Sequence, residues 1–138
     1  LSRSIDLHKI STQHTHEDAI AGVTEGLIGM NEQVTWKAKH FGRYRTLTST
    51  ITAFESPFMF TDEMVSGAFK SFRHVHSFEE KNGVTIMTDL FDYTSPLGFI
   101  GKCADFIFLK RYMTQLLETR NQTTRQFTET NRWKEVLS

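Results

Sequence analysis

The chain has 138 residues, enough for one domain with a substantial core but not for two. Hydrophobic residues make up 38% and charged residues 23%, a balance that is typical of a globular protein and excludes a disordered one. Sixteen basic and 16 acidic side chains cancel, so no nucleic-acid or anionic-membrane partner is expected. No apolar run reaches the about 18 residues of a membrane-spanning helix. The single cysteine cannot form an internal disulfide, and a cytoplasmic location is expected.

The first third of the chain has no sustained period. Residues 1–10 can form a short helix with Ile5, Leu7 and Ile10 on its apolar side. Residues 11–29 are polar and interrupted by glycine, so helical fragments and loops are expected there.

From Gln33 onward, apolar and polar residues alternate with a period of two, the pattern of half-buried β-strands. Turn residues divide this region at Phe41-Gly42, Ser56-Pro57, Gly67 and Asn82-Gly83. The last of these is the strongest hairpin signal in the chain. The pattern therefore predicts a five-stranded meander over residues 33–39, 43–54, 58–65, 69–80 and 84–93.

The Asn82-Gly83 turn allows a register to be written for the last hairpin. If the loop has two residues, Lys81 pairs with Val84, and the remaining pairs follow by counting back along both strands. All of these side chains then lie on one face, which is aromatic apart from one His–Asp pair. The predicted pairs are Phe78 with Met87, His76 with Asp89, His74 with Phe91, and Phe72 with Tyr93.

The preceding turn decides whether this face continues into the earlier strands. A three-residue or bulged turn at Ser66-Gly67-Ala68 would add Phe60, Asp62 and Met64 to the face, whereas a two-residue turn would not. We prefer the first option because it keeps one continuous apolar face back through Ile51, Leu47 and Trp36.

The strands end where a long helix is predicted to begin. Pro96 ends the last strand, and Gly98 allows the backbone to turn. Residues 99–109 are apolar nearly all round, which predicts a helix that is buried on most sides. An antiparallel sheet closed by one long helix tends to enclose an apolar cavity.

The end of the chain is polar. Residues 121–138 are expected to form a polar helical or disordered tail. A straight helix over residues 99–127 would be longer than so small a sheet is wide. We therefore expect a kink or break near Leu109, or a solvated helix end past Leu117.

Four segments carry a family pattern: Phe60-Thr61-Asp62-Glu63-Met64-Val65-Ser66-Gly67-Ala68-Phe69, Phe72-Arg73-His74-Val75-His76-Ser77-Phe78, Thr88-Asp89, and Asp92-Tyr93-Thr94-Ser95-Pro96-Leu97-Gly98. With these segments in this order, the chain resembles the polyketide cyclase/dehydrase-like branch of the START-like and Bet v 1-like (SRPBCC) superfamily. The resemblance covers nearly the whole chain. It implies a single α+β helix-grip domain over residues 1–138, with a curved antiparallel sheet wrapped around a long C-terminal helix.

Members of that superfamily begin with a strand that precedes a short helix pair and the meander. Residues 1–10 look like the end of the first helix, so the chain is expected to lack the first N-terminal strand of the natural domain. Without that strand, one edge of the sheet would be exposed.

The resemblance implies a cavity between sheet and helix that holds a lipophilic or aromatic small molecule, but it does not imply one chemistry. The function we expect is that of a carrier or sensor without catalysis. Two alternatives stay open. One is a cyclase, dehydratase or hydratase that uses His76 and Asp89 as an acid–base pair. The other is a protein-interaction module of the co-chaperone kind. The residues expected to contact the ligand are Trp36, Phe60, Asp62, Phe72, His74, His76, Met87, Asp89, Phe91 and Met113.

His74 and His76 lie two residues apart on one strand, so both imidazoles point to the same side and could share a metal ion. Such a site needs a third ligand, for example Asp62 or Asp89. The favoured alternative is that the imidazoles form hydrogen bonds within an otherwise apolar face. No metal and no cofactor is therefore expected.

Overall fold

A computed structural model describes residues 1–95 and 102–137, and the side chains of 1–95 and 107–137. Within these residues, one antiparallel sheet contains six strands in chain order, and helices precede and follow it. The predicted α+β class is confirmed. The elements are α1 (Ile5–Ser11), β1 (Asp18–Gly22), β2 (Gln33–His40), β3 (Arg43–Glu55), β4 (Met59–Ser66), β5 (Ser71–Lys81), β6 (Val84–Thr94), α2 (Lys102–Glu129) and α3 (Lys134–Leu137), with short 3-10 helices at Gln13–Thr15 and Asn131–Trp133.

The last hairpin has the predicted register. Asn82 and Gly83 have φ values of 54° and 76°, as a two-residue type I′ turn requires. All predicted pairs between β5 and β6 are confirmed, including His76 with Asp89 and His74 with Phe91.

The inward face also continues into β4, as preferred. Asp62 pairs with His74 and Phe60 pairs with His76, so these four side chains lie on one side of the sheet. The turn itself lies slightly later than predicted, because β4 continues to Ser66 and β5 begins at Ser71.

Strand β1 was missed. Residues 11–29 were expected to form only loops and helical fragments, but Asp18 pairs with Lys37 and Gly22 with Val34 along β2. Of the five residues in β1, only Ala19 is buried, so the strand has little local pattern of its own. β1 therefore forms because it pairs with the regular strand β2. The pairing has an irregularity between Ala19 and Ala21.

Gly22 and Gly83 offer a matched test of the close approach between β1 and β2. Both have left-handed φ values, 73° and 76°. A Cβ atom on Gly22 would lie 2.1 Å from the carbonyl oxygen of Gln33, whereas a Cβ on Gly83 would meet nothing within 4 Å. Gly83→Ala should lower the free energy of unfolding by about 1–2 kcal/mol for the left-handed backbone alone. Gly22→Ala should cost about 1–3 kcal/mol more, because the backbone must shift. Urea unfolding of both variants checks this, and equal losses would contradict the described pairing.

Two hydrophobic clusters hold the fold. The larger lies between α1 and the concave face of the sheet and is formed by Ile5, Ala19, Ile28, Val34, Trp36, Ile51 and Phe60. The smaller lies at the far end of α2 and is formed by Leu7, Phe127 and Val136.

The predicted break near Leu109 is absent from the described helix, whereas the alternative, a solvated helix end past Leu117, agrees with the exposure of most residues there. The helix runs unbroken through Leu109 and Leu117 to Glu129, 28 residues or about 42 Å. Past Leu117 it buries Thr124 and Phe127, because α1 and α3 cover this end. The segment 121–137 is mostly helical, but 12 of its 17 residues are exposed and only Thr124, Phe127 and Val136 are buried.

The predicted burial of residues 99–109 on most sides is wrong at its described end. Ile107 is 64% and Phe108 58% exposed, and the Phe108 ring contacts the equally exposed Phe41 at 5.3 Å. The predicted turn at Pro96–Gly98, residues 99–101 and the side chains of 102–106 lie outside the described residues. None of the helices described here is long and apolar enough to cross a bilayer.

Candidate functional site

A cavity of about 820 Å³ lies between the inward face of the sheet, α1 and α2. Sites that bury most of a small ligand have volumes of about 300–1,000 Å³. Exposed Phe41 and Phe108 belong to its wall, so the cavity opens to solvent at that end. Eight of the predicted ligand contacts line it: Trp36, Phe60, Asp62, Phe72, His74, His76, Phe91 and Met113.

Met87 and Asp89, which were also predicted to contact the ligand, do not line the cavity. Both share the inward face of β6, and both contact other groups there. The Ser2 hydroxyl lies 3.4 Å from the Met87 sulfur. Asp89 lies against His74 and His76, and only 6% of its side chain is exposed.

The wall formed by β4, β5 and β6 consists of rings packed against each other. Phe60 stacks on the His76 imidazole with a centroid distance of 4.1 Å and an interplanar angle of 13°. Phe91 contacts Phe72 at 5.2 Å and meets the His74 ring edge-on at 5.1 Å. This packing fixes the imidazoles before any ligand enters.

Two imidazoles lie between two carboxylates within this wall. His76 Nε2 is 2.9 Å from Asp62 Oδ1 with the direction of a hydrogen bond. On the other side of the ring, His76 Nδ1 is 2.8 Å from Asp89 Oδ1. His74 has the same arrangement at longer range, with Nδ1 3.9 Å from Asp62 and Nε2 3.3 Å from Asp89. The contacts to Asp89 are close, but their direction is not that of a hydrogen bond.

The surroundings of the two carboxyl groups and of His74 shift their pKa values. Burial alone would raise the pKa of Asp62, but the hydrogen bond from His76 and the charges of both imidazoles outweigh burial, so the pKa falls below its ordinary value. Burial would also raise the pKa of Asp89, but contact with His74 and His76 outweighs it and lowers this pKa as well. Burial lowers the pKa of His74. The two carboxyl groups therefore lose their protons at a lower pH than ordinary carboxyls, and His74 is protonated only at a lower pH than an ordinary imidazole.

A second polar group lines the cavity and was not predicted from the sequence. His8 contacts Glu17 through Nε2 and stacks on the Trp36 ring at 4.1 Å. The group is formed by His8, Glu17, His40, Tyr112 and Arg120. Its members come from α1, the loop before β1, the end of β2, and α2, so no local sequence motif predicts it.

Glu17 should make stability depend on pH. Burial would raise its pKa, but the charge and hydrogen bond of His8, with weaker effects of His40 and Arg120, hold it below the ordinary 4.5. A carboxyl whose folded pKa is depressed stabilises the protein above the unfolded pKa and loses this contribution as the pH falls. Wild type should therefore be more stable than Glu17→Gln at pH 7, and the difference should shrink below about pH 4.5.

Urea unfolding of both proteins from pH 7 to pH 3 measures this difference, and Glu25→Gln, at an exposed position, serves as the control. A difference for Glu17→Gln that stays constant or grows as the pH falls would contradict the described contact with His8.

No protein-family model and no curated protein sequence matches the chain. Similar folds are found among solved structures. TTHA0849 from Thermus thermophilus superposes with a TM-score of 0.69 at 10% identity, covering 88% of this chain and 80% of that one. Ara h 8.0201 gives a TM-score of 0.54 at 9% identity, with 88% and 90% covered. Ginseng major latex-like protein 151 from Panax ginseng gives 0.53 at 15% identity, with 88% and 86% covered.

At these identities, the likeness concerns the fold and not the chemistry of the site. The six-stranded antiparallel sheet and the long C-terminal helix match the architecture that the sequence resemblance implied. The chain therefore has the helix-grip fold of Bet v 1-like proteins.

Proposed function

We propose that the protein binds a hydrophobic or aromatic small molecule between the sheet and α2, as a carrier or sensor without catalysis. The cavity of about 820 Å³ carries this proposal. Rings of Trp36, Phe60, Phe72 and Phe91 supply its apolar surface. Each Å² of apolar ligand surface removed from water contributes about 25 cal/mol. The Bet v 1-like fold supports the same function, because the resemblance implies such a cavity.

The buried polar groups give this cavity the means to orient a ligand. Asp62, His74 and His76 occupy one region of the wall, and the rest of that wall is mainly aromatic. A molecule with an apolar body and one polar end fits this distribution, since a few placed polar groups fix the orientation of a ligand in an apolar site.

Acid–base catalysis by His76 has less support. Asp89 is within reach of Nδ1, but Nε2 already bonds to Asp62, so each ring nitrogen faces a carboxylate. The imidazole is only 1% exposed and is stacked on Phe60. A general base needs a nitrogen that reaches the substrate proton. The open cavity likewise supports ligand binding over an interaction module, since docking to a protein surface would not need an open interior.

Titration with N-phenyl-1-naphthylamine, a neutral apolar fluorophore, tests the proposal. We expect a saturable rise in emission with one site per chain, because the dye enters a region shielded from water. A fatty acid or an aromatic molecule with one polar end should displace it. A linear, unsaturable signal that no such competitor reduces would contradict the proposal.

A further inference from the structure

The two imidazoles and Asp62 are arranged as a set of metal donors. One donor atom from each of Asp62, His74 and His76 lies within 4.8 Å of the other two. Asp62 Oδ1 is 2.9 Å from His76 Nε2 and 3.9 Å from His74 Nδ1. A metal bound at about 2.0–2.2 Å from each donor requires donor separations of about 3–3.5 Å, which these values bracket.

Both imidazoles are oriented in the same sense. In each ring, one nitrogen faces Asp62 and the other faces Asp89. The nitrogen that faces Asp62 is Nε2 in His76 and Nδ1 in His74. Histidines that bind a metal usually direct their second nitrogen to a carboxylate, which fixes the ring and its tautomer. Asp89 lies beside the second nitrogen of both rings, 2.8 Å from His76 Nδ1 and 3.3 Å from His74 Nε2.

Hydrogen bonds within the group leave buried polar atoms unsatisfied. His74 Nε2 and both Asp89 oxygens have no hydrogen-bond partner of acceptable direction among the described residues. His74 is only 4% exposed. A buried polar atom without a partner costs about 1–3 kcal/mol. A metal would not bind these atoms directly, but a metal on the nitrogens that face Asp62 would keep the proton of each ring on the nitrogen that lies beside Asp89.

The two carboxyl groups also favour a cation. Asp62 and Asp89 are largely shielded from water, with 19% and 6% of their side chains exposed. In the part of the chain that the structure describes, their ion-pair partners are the two histidines, with no Lys or Arg within pairing distance. Buried carboxylates are ordinarily paired with a cation or coordinate a metal.

We propose that Asp62, His74 and His76 bind a divalent transition-metal ion of the Zn²⁺ type, with Asp89 positioning both imidazoles. Two imidazoles and a carboxylate form a donor set that Zn²⁺ and Fe²⁺ accept, leaving positions for further ligands. Asp62 is the most exposed of the three donors and lines the cavity, so a further ligand would reach the metal from that side. This proposal departs from the expectation from the sequence that no metal is bound. Metal binding at these residues does not require that an apolar ligand is present.

Cobalt provides the test, because Co²⁺ replaces Zn²⁺ and has visible d–d absorption. The full chain, without an affinity tag and treated with a chelator, is titrated with CoCl₂ alone. We expect saturation at one ion per chain, d–d bands of a site with fewer than six ligands, and displacement by Zn²⁺. Aqueous-type absorption without saturation would overturn the proposal.

Variants assign the donors. Asp62→Asn keeps the shape of the side chain but removes the charge, and Co²⁺ affinity should fall by about 100-fold or more. Asp89→Asn should weaken it by about 10–100-fold, as a supporting residue does. The chain offers a matched control in its second His-x-His sequence: His14 and His16 are exposed, and the double variant His14→Ala/His16→Ala should bind as wild type. Unchanged affinity in Asp62→Asn, or loss in the control, would overturn the assignment.

Imidazole NMR of the wild type covers the case in which Asp62→Asn fails to fold. In ¹⁵N-labelled protein, Zn²⁺ should shift the resonances of His74 Nδ1 and His76 Nε2 and leave those of His14 and His16 unchanged. The reverse pattern, or equal shifts at all four histidines, would overturn the proposal.

Discussion

Replacing Phe127 with alanine should lower the free energy of unfolding by about 3–5 kcal/mol, the loss typical of a large aromatic residue removed from a core. Phe127 is 1% exposed and packs with Leu7 and Val136. The guanidinium of Arg132 covers the same ring at 4.1 Å from its centroid. The variant should leave a cavity, because three separate helices meet at this side chain.

Chemical unfolding of the full chain measures the effect, and Phe58→Ala provides a matched control. Phe58 is 60% exposed, so its truncation should change stability by no more than about 0.5 kcal/mol. If the two variants lost the same stability, the far end of α2 would not be packed against α1 and α3 as described.

Replacing Met113 with glutamate should weaken binding of an apolar ligand by about 10-fold or more. Met113 is half-buried in the cavity wall on α2, where water can solvate a new carboxylate until a ligand enters. A bound apolar molecule would remove that water, and burying an unpaired polar or charged group costs at least about 2 kcal/mol. The dissociation constant for N-phenyl-1-naphthylamine should rise while the fold persists.

Ile107→Glu is the control for this substitution. Ile107 is on the same helix, is 64% exposed, and is not part of the cavity wall, so its variant should bind the dye as wild type does. Equal affinities for all three proteins would place the dye outside the described cavity. Circular dichroism of each variant checks that the helix content is preserved.

The features predicted correctly from the sequence are those set by local chemistry. The Asn82-Gly83 turn has one common geometry, and a two-residue loop fixes every pair along β5 and β6. Once the pairs are known, the period of two places His74, His76 and their aromatic neighbours on one face. The aromatic and histidine side chains that β4 and β5 contribute to the cavity wall could therefore be predicted before its shape was known.

The features missed depend on partners distant in the sequence. β1 has one buried residue, Ala19, and its strand conformation depends on β2. Phe127 lies in a polar segment, and it is buried because residues of α1 and α3 pack against it. Glu17, His40 and Tyr112 reach the cavity from separate elements, so no spacing rule connects them.

Strand pairing also could not show which inward-facing side chains reach the cavity. Asp89 and Phe91 share the inward face of β6, yet only Phe91 reaches the cavity. Register assigns a side chain to a face, whereas its distance from the cavity depends on what packs above it. The two imidazoles lie over Asp89, and this changes its expected role from ligand contact to support of His74 and His76.

Native mass spectrometry of the full chain, after incubation with a total lipid and metabolite extract of its source organism, tests the central claim most directly. We predict a 1:1 complex with an apolar species that organic extraction removes and that Met113→Glu reduces. A spectrum of the bare chain alone, or adducts that form equally on wild type and Met113→Glu, would contradict binding in the cavity between the sheet and α2.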